Sequence, residues 1–74
     1  MVCPIFLETM EQANRINEVA CTQQFDISIS HGNDIVDAKS LMVLYPFIGK
    51  EVYIVMSDEV DEKYFQRLIK RMGF

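Results

Sequence analysis

The segment QFDISIS, residues 24–30, alternates strictly between apolar and polar side chains. Phe25, Ile27 and Ile29 share one side of an extended chain, because successive side chains of a strand point to opposite faces. The other side carries only polar residues, among them Asp26, Ser28 and Ser30. This pattern predicts a β-strand with one face in a core and the other in water, which is typical of an antiparallel sheet. Such a sheet needs a second layer to cover its apolar face.

A return strand follows at once. The segment SHGND, residues 30–34, favours a turn, because Gly32 and Asn33 can adopt positive φ angles. The segment DIVDA, residues 34–38, then has the pattern of the partner strand, with Val36 and Ala38 facing inward. Together the two segments predict a β-hairpin.

Two further strands are predicted near the ends of the sequence. The segment Val2–Leu7 is mostly apolar, but Pro4 cannot donate a hydrogen bond to a neighbouring strand. This strand is therefore expected to lie at a sheet edge or to begin at the proline. The segment KEVYIVM, Lys50–Met56, alternates again and places Val52, Ile54 and Met56 on one side.

Two segments carry apolar residues at helical spacing and can supply the covering layer. The first stripe consists of Met10, Ala13, Ile16, Val19 and Ala20, and the second of Tyr64, Phe65, Leu68, Ile69 and Met72. Thr9 and Gln12 fit a capping box, so the first helix is predicted to begin at Met10 and to end near Cys21 or Thr22. Gly73 is suited to the position after the second helix.

Ser40 and the apolar letters LMVLY that follow it predict a short helix of one or two turns before Pro46. The predicted order is therefore β-α-β-β-short α-β-α. This order predicts an α+β fold, an open-faced two-layer sandwich with a four-stranded antiparallel sheet and its helices on one face. A chain of 74 residues can build one hydrophobic core at most, so residues 1–74 are predicted to form a single domain.

The composition argues against several classes of partner. Seven basic and eleven acidic residues give a net charge of −4, whereas binding to nucleic acid requires clustered Lys and Arg. The one basic cluster lies at the end of the last predicted helix, where it complements the helix dipole. No apolar run approaches the ~20 residues of a membrane span, and the start lacks the basic region of a signal peptide. We expect a bacterial, cytoplasmic protein without nucleic-acid or membrane partners.

The sequence contains no recognisable catalytic constellation. Cys3 and Cys21 have neither the spacing of a metal site nor the number typical of a disulfide framework, so two reduced, partly buried thiols are expected. There is no nucleophile–base pair, glycine-rich phosphate loop or metal-ligand spacing. We expect no enzyme activity, no metal and no cofactor.

The segment VDAKSL, Val36 to Leu41, together with FQRLIKRM near the end and the order of elements, resembles the histidine-containing phosphocarrier (HPr) family of the bacterial sugar phosphotransferase system. The resemblance covers nearly the whole chain. It implies an HPr-like fold, and in that family a histidine within a His-x-Arg-Pro sequence accepts phosphate at the start of the first helix.

The residues at that place differ from the family's motif. The resemblance aligns Thr9 with the histidine, Glu11 with the arginine and Gln12 with the proline. A threonine hydroxyl cannot replace an imidazole without an added base, and Glu8 and Glu11 would repel a phosphoryl group. His31, the single histidine, lies in the predicted hairpin turn and is interpreted as an ordinary loop residue. The sequence therefore predicts that phosphohistidine carriage is lost.

Ser40 has two interpretations that the sequence leaves open. It aligns with the serine that a dedicated kinase phosphorylates in many Gram-positive members of the family, and Lys39 and a helix start would favour a phosphate there. Serine is also among the most common N-cap residues, so Ser40 can simply begin the short helix.

The apolar residues after Ser40 are equally open to two interpretations. Leu41, Met42 and Tyr45 fall where the resemblance places a docking patch for protein partners. Phe47 is a further candidate, because so short a helix cannot bury every apolar side chain, but all four residues can also fill the core. The leading hypothesis is a non-catalytic HPr-like interaction or regulatory module that binds protein partners through Ser40–Phe47. The alternative is a regulatory phosphoprotein modified at Ser40 by a serine kinase.

Overall fold

The computed structural model describes residues 1–74 and contains the predicted four-stranded sheet. Its strands are β1 (Val2–Leu7), β2 (Ile27–His31), β3 (Asp34–Asp37) and β4 (Lys50–Met56). The strand order is β1-β4-β2-β3, and all three neighbouring pairs are antiparallel. The sheet therefore has β1 and β3 at its edges, which confirms the edge position that the proline in β1 predicts.

A two-residue turn joins β2 to β3. His31 pairs with Asp34, so Gly32 and Asn33 form the turn. Only the glycine adopts a positive φ, of 58°, and the asparagine does not. A glycine at the first turn position matches the geometry that suits the twist of a hairpin.

Two α-helices begin and end close to their predicted positions. Helix α1 spans Met10–Cys21, and helix α2 spans Glu62–Arg71. The capping box of α1 is present: the backbone nitrogen of Gln12 donates to Thr9 Oγ1 over 3.2 Å, and the backbone nitrogen of Thr9 donates to Gln12 Oε1 over 3.3 Å. These bonds satisfy helix N–H groups that would otherwise lack partners.

The core lies between the sheet and the two helices. Eighteen buried residues form one cluster, and none of them is polar or charged. The inward positions of the strands fit the predicted alternation, and Ala38 is fully buried while Val36 is half-buried. The predicted apolar stripe of α1 is wrong at one position: the side chain of Met10 is 57% exposed and takes no part in the core.

The short helix differs from the prediction in position and type. Residues 41–44 form a turn, and a 3-10 helix follows at Tyr45–Phe47. Hydrogen bonds join the nitrogen of Leu44 to the oxygen of Leu41 over 3.1 Å and the nitrogen of Phe47 to the oxygen of Leu44 over 3.0 Å. These are bonds between residues three apart, and a proline inside the segment opposes a longer α-helix. Ser40 therefore caps no helix.

The amino group of Met1 is held at the far end of β4. It donates to the backbone oxygen of Met56 over 2.6 Å and to the carboxylate of Asp58 over 2.7 Å. This hydrogen bond and the positive charge of the amino group lower the pKa of Asp58.

Candidate functional site

The start of α1 is occupied by its own capping interactions. Thr9 Oγ1 accepts from the helix backbone, and the side chain of Gln12 accepts from the nitrogens of both Glu8 and Thr9, over 2.6 and 3.3 Å. Glu8 and Glu11 are exposed on either side. No histidine or cysteine contributes to this helix start, and no general base is hydrogen-bonded to the threonine hydroxyl. The arrangement stabilises a helix and offers no evident nucleophile.

One side of α1 holds the chain that leads from β3 to the 3-10 helix. Asn17 Nδ2 donates to the oxygen of Ala38 over 3.1 Å, and Cys21 Sγ lies 3.7 Å from the oxygen of Lys39. Further along, the hydroxyl of Tyr45 lies 3.5 Å from Asn14 Oδ1. Because Asn14, Asn17 and Cys21 recur at helical spacing, they form one stripe, and the segment Ser40–Phe47 lies beside it. We call Ser40–Phe47 the 40–47 segment.

Ser40 is exposed, and its hydroxyl makes no hydrogen bond within the chain. Its backbone nitrogen donates to the oxygen of Asp37 over 3.1 Å, and the nitrogen of Lys39 donates to the Asp37 carboxylate over 2.9 Å. These two bonds form the turn after β3, so the backbone at Ser40 is held while its side chain remains accessible.

The predicted apolar patch is smaller than the sequence indicates. Met42 is 79% exposed, whereas Leu41 and Tyr45 are half-buried. The prediction of Phe47 as a partner-binding residue is wrong, because its side chain is 7% exposed and belongs to the core cluster. A partner could reach little of its ring. Val43, which the sequence did not single out, is partly exposed beside Met42.

Met10 is exposed, although its spacing predicts a place in the buried stripe of α1. It lies one turn before Asn14 on the same side of α1, and Asn14 meets Tyr45 of the 40–47 segment. The sequence contains a sign of this exposure. Met10 also fits a second stripe, beside the apolar one, that contains Asn14, Asn17 and Cys21.

His31 lies at the end of β2, away from the helix start. Its Nδ1 is 3.0 Å from the backbone oxygen of Glu51, and its ring meets the ring of Phe47 edge-on with centroids 5.9 Å apart. The ring is half-buried rather than free in a loop. Strand β4 separates β2 from β1, and no hydrogen bond joins His31 to α1. The histidine thus packs against the core edge.

Other chemistry-bearing groups are dispersed. Cys3 and Cys21 are both free; Cys3 is half-buried, and Cys21 is exposed rather than partly buried as expected. No three His, Cys, Asp or Glu side chains are grouped so that they could hold a metal ion. None of the helices has the length and apolar character that crossing a membrane requires.

The strand order, the antiparallel pairing and the two helices on one face define an HPr-like open-faced sandwich. Two solved structures share this fold. HPr-C-His from Thermoanaerobacter tengcongensis superposes with a TM-score of 0.73 and 17% identity, over 100% of this chain and 97% of that one. The histidine-containing phosphocarrier protein of mycoplasma superposes with a TM-score of 0.71 and 18% identity, over 97% of this chain and 91% of that one.

At this identity the likeness establishes the fold and leaves the activity open. No protein-family model and no curated protein sequence matches the chain. The predicted fold class is confirmed, and the roles of individual residues rest on the geometry described above.

Proposed function

We propose that this chain is a non-enzymatic HPr-like protein that has lost phosphohistidine carriage and acts as a small interaction or regulatory module. The proposal takes residues 1–74 as one cytoplasmic, bacterial domain that needs no cofactor. The observation that carries it is the start of α1, where Thr9 is hydrogen-bonded as a helix cap. The resemblance aligns Thr9 with the position of the family's phosphorylated histidine.

The chemistry of phosphoryl transfer supports the loss. A phosphohistidine needs an imidazole nitrogen that is neutral near physiological pH, and a threonine hydroxyl without a neighbouring base is a far weaker nucleophile. The carried dianion also needs positive potential. The exposed carboxylates of Glu8 and Glu11 flank this helix start and oppose it.

The surface of the proposed module combines the 40–47 segment with the exposed end of α1. Met42 and Met10 are more than half exposed, and Leu41 and Tyr45 contribute accessible edges. Methionine side chains are flexible and polarisable, so they adapt to apolar surfaces of protein partners. Asn17 of α1 holds the backbone at Ala38, just before this surface, and Asn14 of α1 contacts the hydroxyl of Tyr45 within it.

The loss of carriage is tested with phosphoenolpyruvate and the general enzymes of the phosphotransferase system. We expect no acid-labile phosphate on the protein by intact mass, while an authentic phosphocarrier in the same tube is labelled. A His31→Ala variant serves as the matched control. Acid-labile phosphate on the wild-type chain would overturn the proposal, and its disappearance in His31→Ala would identify His31 as the acceptor.

A second candidate function is that of a regulatory phosphoprotein modified at Ser40. The exposed hydroxyl without an intramolecular partner favours it, because a kinase could reach that oxygen without breaking a hydrogen bond. The test is incubation with a purified HPr serine kinase and ATP. One added phosphate on wild type and none on Ser40→Ala would support modification, and equal addition to both would exclude this site.

A further inference from the structure

The sheet face opposite the helices is uncovered and largely apolar. Cross-strand pairing places one row of outward side chains across all four strands: Pro4, Tyr53, Ser30 and Ile35. Val2 and Phe6 flank this row on β1, and both are more than half exposed, as is Ile35. The two serines at the centre of the face, Ser28 and Ser30, are small, so the larger side chains on either side define a shallow trough.

The charged residues on this face all have the same sign. Glu51 pairs with Phe6, Asp37 pairs with Ser28, and Asp26 borders a depression shared with Ser28 and Val55. No Lys or Arg occupies an outward strand position. In contrast, four of the basic residues lie in α2 and Arg15 lies in α1, on the opposite side of the sheet. The uncovered face is therefore an apolar trough bordered by carboxylates.

This distribution of charge selects among possible occupants. A second copy of the chain, packed face to face, would bring carboxylates against carboxylates and leave them without cations, which opposes association. An occupant with an apolar stripe between rows of Lys or Arg would complement both the trough and its border. The outer strands are roughly 14 Å apart, which accommodates one α-helix of about 10 Å diameter.

We propose that the uncovered sheet face, centred on Tyr53 and bordered by Asp26, Asp37 and Glu51, binds a basic amphipathic helix of a partner protein. The surface is separate from the 40–47 segment, which lies beside α1 on the other side of the sheet. The chain would then have two distinct faces for protein partners.

The test uses the full ¹⁵N-labelled chain and a synthetic helical peptide of about 18 residues, roughly 27 Å long, with a leucine stripe flanked by lysines. We expect amide shifts confined to the strands, strongest at Phe6, Ser30 and Tyr53. A peptide with glutamate in place of every lysine should give no shifts. Raising the salt concentration should weaken binding, because the attraction between exposed charges is screened.

Two charge reversals of equal size locate the binding surface. Glu51→Lys lies on the sheet face, and Glu18→Lys lies on exposed α1. We expect Glu51→Lys to reduce affinity about five-fold and Glu18→Lys to leave it unchanged. Equal effects of the two reversals, shifts mainly in α1 and α2, or binding of the glutamate peptide would each overturn the proposal. A concentration-dependent dimer broken by Ile35→Lys would also overturn it, in favour of a second copy as the occupant.

Discussion

Thr9 shows how one side chain fixes both a local structure and the chemistry available beside it. Its hydroxyl accepts a backbone hydrogen bond at the start of α1, and its own nitrogen is bound by Gln12. The sequence predicted this arrangement because Thr and Gln at this spacing have a strong local preference. Nothing distant is required, so prediction from the sequence was possible.

Replacing this cap should cost stability without altering the fold. We expect Thr9→Ala to lower the free energy of unfolding by about 1 kcal/mol, because a helix N–H group loses its acceptor. Thr9→Ser keeps an oxygen at the same place and should remain within about 0.5 kcal/mol of wild type. Urea denaturation followed by circular dichroism measures both. An unchanged Thr9→Ala midpoint would mean that water replaces the hydroxyl at no cost.

Ser40 shows the limit of the same reasoning. Serine is a common cap, but here no helix begins directly after Ser40, and hydrogen bonds to Asp37 from the backbone nitrogens of Lys39 and Ser40 form a turn instead. The sequence could not decide this, because a hydroxyl can bond to several nearby backbone groups with similar energy. The accessible side chain of Ser40 is a result of the turn and not of the residue type.

At the scale of elements, the long periodic segments were predictable and the short segment was not. Helix α1 and strand β4 have enough residues for a repeat of 3.6 or 2 to be clear. After Ser40, the 40–47 segment has apolar and aromatic residues without a repeat, so its exposed and buried positions look alike in the sequence. Its division into accessible Met42 and buried Phe47 is set by contacts with the rest of the chain.

Two substitutions in this segment should therefore have very different effects. We expect Phe47→Ala to lower the free energy of unfolding by about 3 kcal/mol, because it leaves a cavity and removes the contacts with His31 and Lys50. Met42→Ala should change it by less than about 0.5 kcal/mol, because the side chain is exposed. Chemical denaturation compares the two. Similar losses would show that Met42 is packed in solution.

At the scale of the whole molecule, the fold followed from the number and order of elements. Four strands and two amphipathic helices leave few ways to cover one apolar sheet face, and the HPr-like sandwich is one of them. The surfaces were harder to predict. Which polar residues gather on the open face depends on strand order, and the pairing of β4 between β1 and β2 is a long-range property.

A single core cluster has a consequence for unfolding. If residues 1–74 act as one domain, loss of helix measured by circular dichroism and loss of packing measured by tyrosine fluorescence should occur at the same urea concentration. The dependence of the free energy on urea should be about 1 kcal/mol per molar. Two separated transitions would contradict the single-domain proposal.

The two edge strands of the sheet, β1 and β3, affect how readily the protein aggregates at high concentration. β1 contains Pro4, which removes one donor from its backbone, and β3 is only four residues long and begins and ends with an aspartate. Edge strands that are short, charged or interrupted by proline are poor templates for the addition of another strand. Crowded molecules of this chain should therefore resist growth into amyloid-like fibrils, even though so much apolar surface faces the solvent.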